Sequence, residues 1–210
     1  MRKLLMQSAL IALALGGLAG SATAQTPAPT VAADFLAPTV AQGAAEGVTT
    51  MLKVTSPAVK EGEAIKDKYS AWHANVALPV TWEKGPDGTK SFAIVLEDVI
   101  PGRPNTVQHW IVYNIPGNKL RLPEGMPQGN RYYAMAIGAL QATSGDIVGY
   151  RGPRPPAGTT HNYALQVFAL DTKLDMAPGD ANIASITEAM KGHVLAYGQL
   201  NATYTNTAAQ

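Results

Sequence analysis

Residues 149–171 read GYRGPRPPAGTTHNYALQVFALD. A turn loaded with glycine and proline runs straight into an alternating apolar segment rich in β-branched and aromatic residues. That is the pattern of a stiff loop entering a strand. His161 and Tyr163 stand two residues apart at the join, so on a strand both side chains leave the same face and can act together. Prolines fix φ and limit how far the preceding loop moves, whereas glycines let backbone approach whatever the loop faces. The same β signature recurs upstream at 49–54 (TTMLKV), 76–82 (VALPVTW), 91–98 (SFAIVLED) and 107–115 (VQHWIVYNI), punctuated by GPDG at 85–88 and PGN at 116–118. Twenty glycines and fifteen prolines suit that many turns. The expectation is a mainly β domain of two packed, antiparallel-rich sheets with few short helices. The one helical signal is late: Ser185-Ile186-Thr187-Glu188 has capping-box spacing, and Ile186, Met190 and Val194 follow at i, i+4 and i+8. It predicts a helix ending near Ala196 and a last strand over 198–204.

The first 24 residues stand apart. Arg2 and Lys3 precede a run from Leu4 to Leu18 dominated by Leu, Ala, Ile and Gly, and Ala22-Thr23-Ala24 supplies the small-x-small pattern of a cleavage site. Residues 1–24 read as a secretory signal peptide. The run is shorter than the ~20 apolar residues a spanning helix needs. Residues 25–46, rich in Ala, Pro and Thr, read as a flexible leader, and 47–210 as a single domain. The expected location is periplasmic or secreted, after cleavage near Ala24.

Composition removes several classes. Zero cysteines exclude disulfides, thiol catalysis and thiolate metal sites. Without its signal the chain carries 14 basic and 15 acidic residues, and so near-neutral a total argues against nucleic acid or an anionic membrane as the main partner. The G-x-S-x-G, G-x-G-x-x-G, Walker A and HExxH patterns are absent from residues 25–210. Asn201-Ala202-Thr203 matches a glycosylation sequon, which matters only in a eukaryotic secretory route. His73 and His193 are given no role.

Four groups remain as candidate chemistry, each with a plainer reading beside it. Asp98 closes the run FAIVLED, where a strand-terminal acid is usually a solvated turn residue. His109 lies in an aromatic strand, where a core histidine is the ordinary outcome. His161 and Tyr163 form the third group, and the loop 152–158 the fourth. Together they offer imidazole N–H, phenol O–H and backbone N–H groups, the donors from which small-anion sites are made. Asp98 would then hold a pocket histidine, His109 by expectation, in one tautomer. A metal or hydrolytic site using Asp98, His109 and His161 is the less favoured reading.

The segments SFAIVLED…QHWIVYNIPG, the stretch 149–171 and the terminal MKGHVLAYGQL together resemble the phosphatidylethanolamine-binding protein family, in its bacterial Raf-kinase-inhibitor-like branch. The resemblance spans about residues 49–204. It implies a two-sheet β fold with an anion pocket at one end, accepting phosphate-type groups such as phospholipid headgroups, and no catalytic activity or cofactor. Carried over by position, the ligand-binding residues are Asp98, His109, Gly152, Pro155, Pro156, Gly158, His161 and Tyr163. The family's D-P-D-x-P motif is shortened to Asp98-Val99-Ile100-Pro101, Asn162 stands where arginine is frequent, and His73 where glycine is usual. The resulting expectation is an exported, non-enzymatic binding protein for a small anionic ligand. A transient contact with membrane lipid and a homodimer stay open. The alternative is an interaction or inhibitor protein whose pocket is vestigial.

Overall fold

The computed structural model describes residues 38–100, 103, 106–128 and 137–207. The signal peptide, the leader over 25–37 and Pro101 of the shortened motif lie outside the described residues. A five-stranded antiparallel sheet dominates, in the order β10-β9-β3-β4-β6, built from β3 (Ser91–Val99), β4 (Val107–Pro116), β6 (Leu140–Gln141), β9 (Thr160–Leu170) and β10 (Val194–Thr205). A three-stranded sheet, β1-β2-β5 (Val54–Thr55, Val80–Trp82, Arg121–Leu122), packs on one of its faces, and a small hairpin pairs β7 (Thr143–Ser144) with β8 (Ile147–Val148).

The central strand explains why its sequence is apolar almost throughout. Every residue of β3 is buried. Phe92, Ile94 and Leu96 point into the core shared with Val54, Val80, Trp82 and Leu122 of the small sheet. Ala93 and Val95 point the other way, into a second core with Ala41, Ala44, Ala45, Ile186 and Met190. Alternation along the strand survives, but both faces are covered. The two packed sheets expected from sequence are present, with helical segments over the far face of the larger one.

Several boundaries move. The expected strand 49–54 reduces to β1, with Met51 forming an isolated parallel bridge to Tyr197, and 76–82 reduces to Val80–Trp82. The helix α1 is Ile183–Met190, starting and ending earlier than the sequence pattern placed it. Asn182 is the N-cap. Its side chain accepts from the N–H groups of Ala184 and Ser185, both at 3.0 Å, while Ser185 Oγ accepts the Asn182 N–H at 2.9 Å. Ser185 is therefore the far member of the box rather than its cap, and Glu188 pairs with Lys191 instead (2.6 Å). With the helix closed at Met190, β10 begins at Val194, earlier than the 198 expected. The leader is not loose to its end. Ala41–Ala45 form a 3-10 turn with Ala41, Ala44 and Ala45 buried. The carboxylate of Glu97, wholly buried on that face, accepts the N–H groups of Val40 (2.9 Å) and Ala41 (3.0 Å) and the amide of Gln166 (2.8 Å), and Thr106 Oγ1 also donates to it.

Candidate functional site

The β3–β9 register places Asp98 directly opposite Tyr163, and His161, two residues before Tyr163 on the strand, shares its face. Asp98 is not a solvated strand end: it is 4% exposed. Its Oδ2 accepts from His161 Nδ1 at 2.8 Å. This corrects the expected pairing with His109, whose Nε2 stands 3.7 Å from the same oxygen, beyond hydrogen-bond length. The reason lies in the ladder. A register shift between Leu96 and Glu97 in the β3–β4 pairing places His109 beside a bulge, and its Nδ1 reaches the carbonyls of Arg151 (2.8 Å) and Gly152 (3.0 Å). Carbonyl oxygens only accept, so that nitrogen carries the proton and the ring orientation is fixed. The ring also stands edge-on to Tyr163, with centroids 5.3 Å apart.

Glycine at 152 answers to one contact. A Cβ there would lie 1.9 Å from the Tyr69 carbonyl oxygen. This close approach seams the loop to residues 69–75. Gly152 N–H donates to Asn75 Oδ1 (2.7 Å), Ala71 N–H and Ser70 Oγ donate to the Pro153 carbonyl (both 3.0 Å), and the Tyr150 hydroxyl donates to the Tyr69 carbonyl (2.8 Å). Asn75 sits at φ +51°, a left-handed conformation that asparagine tolerates better than most residues. The Pro155 carbonyl accepts from Trp72 Nε1 (2.9 Å) and from Asn206 Nδ2 (3.1 Å). The expectation that the glycines of this loop offer N–H groups to an anion is therefore corrected: Gly152 N–H serves Asn75, and Gly158 N–H serves the Asn206 carbonyl (2.8 Å). Prolines at 153, 155 and 156 have no N–H to give.

What the loop supplies instead is arginine. A cavity of about 510 Å³ opens here, lined by Trp72, Asp98, Ile100, Arg103, Val107, Gln108, His109, Arg151, Arg154, Pro156 and His161. Three arginines and two histidines thus share the lining with one carboxylate, which is already engaged by His161, and the Arg151 guanidinium itself packs against Gly145. Arg154 lies over the Trp72 ring, 4.7 Å from its centroid, and Arg151 stands 3.9 Å from Asp146. Of the residues singled out in the sequence, Asp98, His109, Pro156 and His161 line this cavity. Gly152 and Pro155 hold its wall from behind, and Gly158 occupies a turn outside it at φ +72°. Tyr163 is wholly buried beneath it. Its hydroxyl and Asp98 Oδ1 are both buried, with the hydroxyl in reach of the Asp98 carboxylate and of the Arg154 backbone. Burial first, and the charge of Asp98 second, push the Tyr163 pKa far up, so the hydroxyl keeps its proton and stays a donor.

Sequence reasoning missed Trp72, Arg103, Arg151 and Arg154. The last two were visible as the basic residues spaced between glycine and proline in GYRGPRPP, but their direction was not. A second cavity of about 450 Å³, with Asp67, His73 and Tyr204, lies across the Trp72–Pro156 ridge. Among the described residues no three His, Asp or Glu side chains are placed to hold a metal ion together.

Comparison with known proteins gives one consistent result. Residues 55–205 match the family model described as phosphatidylethanolamine-binding protein. A UPF0098 protein of Methanothermobacter thermautotrophicus is 37% identical over 142 residues, which cover 67% of this chain and 89% of that one. LppC of Mycobacterium tuberculosis, named as a candidate lipoprotein, is 32% identical over 199 residues, covering 90% of each chain. The crystal structure of a Chlamydia trachomatis protein, described as a phosphatidylethanolamine-binding protein homologue, superposes with a TM-score of 0.61 at 31% identity. It covers 74% of this chain and 98% of its own.

Proposed function

This chain belongs to the phosphatidylethanolamine-binding protein family, and from that premise we propose that it is an exported, non-enzymatic binding protein for a small phosphate-bearing anion. The observation that carries the reading is the lining of the 510 Å³ cavity by Arg103, Arg151, Arg154, His109 and His161 beside a single carboxylate. An arginine fork matches phosphate oxygens in geometry as well as in charge. Asp98 fits this reading because its role is internal: it holds His161 by Nδ1 and leaves the other ring nitrogen for the ligand. The backbone clamp on His109 does the same for the second ring. An arginine-rich lining beside two rings held in one orientation suits retention of a bound anion.

Export is supported by the N-terminal signal pattern and by the likeness to a candidate lipoprotein of M. tuberculosis. Among the described residues no helix is long and apolar enough to cross a membrane. The test is native mass spectrometry of the mature chain purified from its own host. A retained small molecule carrying phosphate, released unchanged on denaturation, is the expected result. A stoichiometric metal ion, or a chemically altered product, would overturn the reading.

A further inference from the structure

A near-neutral total charge conceals a second basic surface at the far end of the large sheet. At the end of the sheet away from Asp98, Lys90 immediately precedes β3 and its N–H donates to the Leu170 carbonyl that closes β9 (2.8 Å). Gly117, just past the end of β4, donates to the Lys90 carbonyl (3.0 Å). Around this junction lie three shallow grooves that share residues: one shares Asn118 and Leu120 with the second and Lys173 with the third. Their lining contains Lys84, Lys90, Lys119, Arg121 and Lys173 and no carboxylate. All five cations are exposed. Among the described residues only Lys84 of the five has an ion pair, an exposed one with Asp87 at 3.9 Å. Leu120 stands in their midst, 37% exposed.

We infer that this pole is a docking surface for a bilayer rich in anionic phospholipid. Five exposed cations with no carboxylate in the lining suit a polyanionic partner, and their kind selects which. Four of the five are lysines, compact hydrated charges suited to a diffuse, mobile layer of phosphates rather than to a fixed bidentate contact. An exposed leucine among them gives the contact an apolar foothold. No aromatic side chain lines the grooves to stack a base, as single-stranded nucleic acid would require. The site is independent of the anion cavity. Asp98 and Ser91 mark opposite ends of β3, seven residues or roughly 23 Å apart, so a chain docked by this pole keeps the cavity open to solution and takes its ligand from there.

The test is sedimentation of residues 25–210 with vesicles of equimolar phosphatidylglycerol and phosphatidylcholine, against phosphatidylcholine alone, at low and high salt. Binding should require the anionic lipid and weaken as salt rises. Combined Lys84→Glu, Lys119→Glu and Lys173→Glu should lower it at least ~100-fold, at about fivefold per cation lost. The matched Lys60→Glu, Lys66→Glu, Lys191→Glu variant, equal in net charge, should bind as the unaltered chain does. Calorimetric titration of inorganic phosphate into the first variant should be unchanged, which separates failure of this surface from failure of the cavity. Equal loss in both triple variants, loss on His161→Ala, or binding of an oligonucleotide without binding of vesicles would each overturn the inference.

Discussion

Gly152→Ala should be far more damaging than its single methyl suggests. The added Cβ falls 1.9 Å from the Tyr69 carbonyl oxygen and 3.0 Å from both Ala71 N and Asn75 Oδ1. Relief of the first contact alone needs a movement of more than 1 Å (roughly, from normal contact distances). Neither side is free to make it. The Tyr69 carbonyl is held by the buried Tyr150 hydroxyl, and the Gly152 carbonyl is one of the two that fix the His109 ring. Separating the two segments breaks the Gly152–Asn75, Ala71–Pro153 and Ser70–Pro153 hydrogen bonds. At about 1 kcal/mol net for each, the loss is ~3 kcal/mol. The assay is equilibrium unfolding in urea, with inorganic phosphate titrated into the folded variant in parallel. The expected outcome is a midpoint lowered accordingly and a phosphate affinity at least tenfold weaker, because His109 loses its orientation. A loss below ~1 kcal/mol together with unaltered phosphate binding would refute the claim that this seam positions the site.

Asp98→Asn sets orientation against charge: removing a negative charge from an anion cavity should tighten binding, whereas freeing His161 should weaken it. The account expects a several-fold weaker phosphate affinity and about 1–2 kcal/mol lower stability, the difference between a charge-assisted and a neutral buried bond; tighter binding would contradict it. Glu97→Ala leaves the N–H groups of Val40 and Ala41, the Gln166 amide and the Thr106 hydroxyl without their acceptor, so a loss of ~3 kcal/mol or more is expected, with new protease cleavage in 38–46 read by mass spectrometry. Stability should also fall as pH rises above ~10, the unfolded tyrosine value. Burial holds the hydroxyls of Tyr150, Tyr163 and Tyr197 above that value and pushes Tyr113 up to about 12. A group favoured neutral in the fold contributes its stability below 10 and loses it through the interval up to the folded value. Urea midpoints that stay flat from pH 9 to 12 would contradict this.

The long strands were legible because burial on both faces writes itself as an unbroken apolar run: β3, β4 and β9 lie within a few residues of the segments read for them. The short strands were not, since β1, β5 and β6 are two residues each and are held by tertiary packing rather than by local pattern. The helix starts one turn earlier than its sequence pattern because Asn182 and Ser185 share the cap, while Ser185 by itself satisfies the capping-box spacing. In the site, the identities of Asp98, His109 and His161 could be read, but the pairing could not. Which histidine reaches Asp98 depends on a one-residue shift in the β3–β4 ladder and on carbonyls 42 and 43 residues away from His109. The arginines were likewise visible as letters and invisible as a lining, because a loop's direction is set by its seam to residues 69–75. The basic pole was hidden by the net charge, a sum that carries no position.

The central claim, that the cavity between β3, β4 and β9 binds a phosphate-type anion through rigidly held imidazole and guanidinium groups, is tested most directly by calorimetry. Inorganic phosphate is titrated into residues 25–210 and into the His161→Ala variant, with urea unfolding of both. The account predicts one saturable site in the unaltered chain, lost in a variant that still unfolds cooperatively, at a midpoint lowered because buried Asp98 loses its partner. No saturable heat in the unaltered chain, or equal binding in a folded His161→Ala chain, would contradict it.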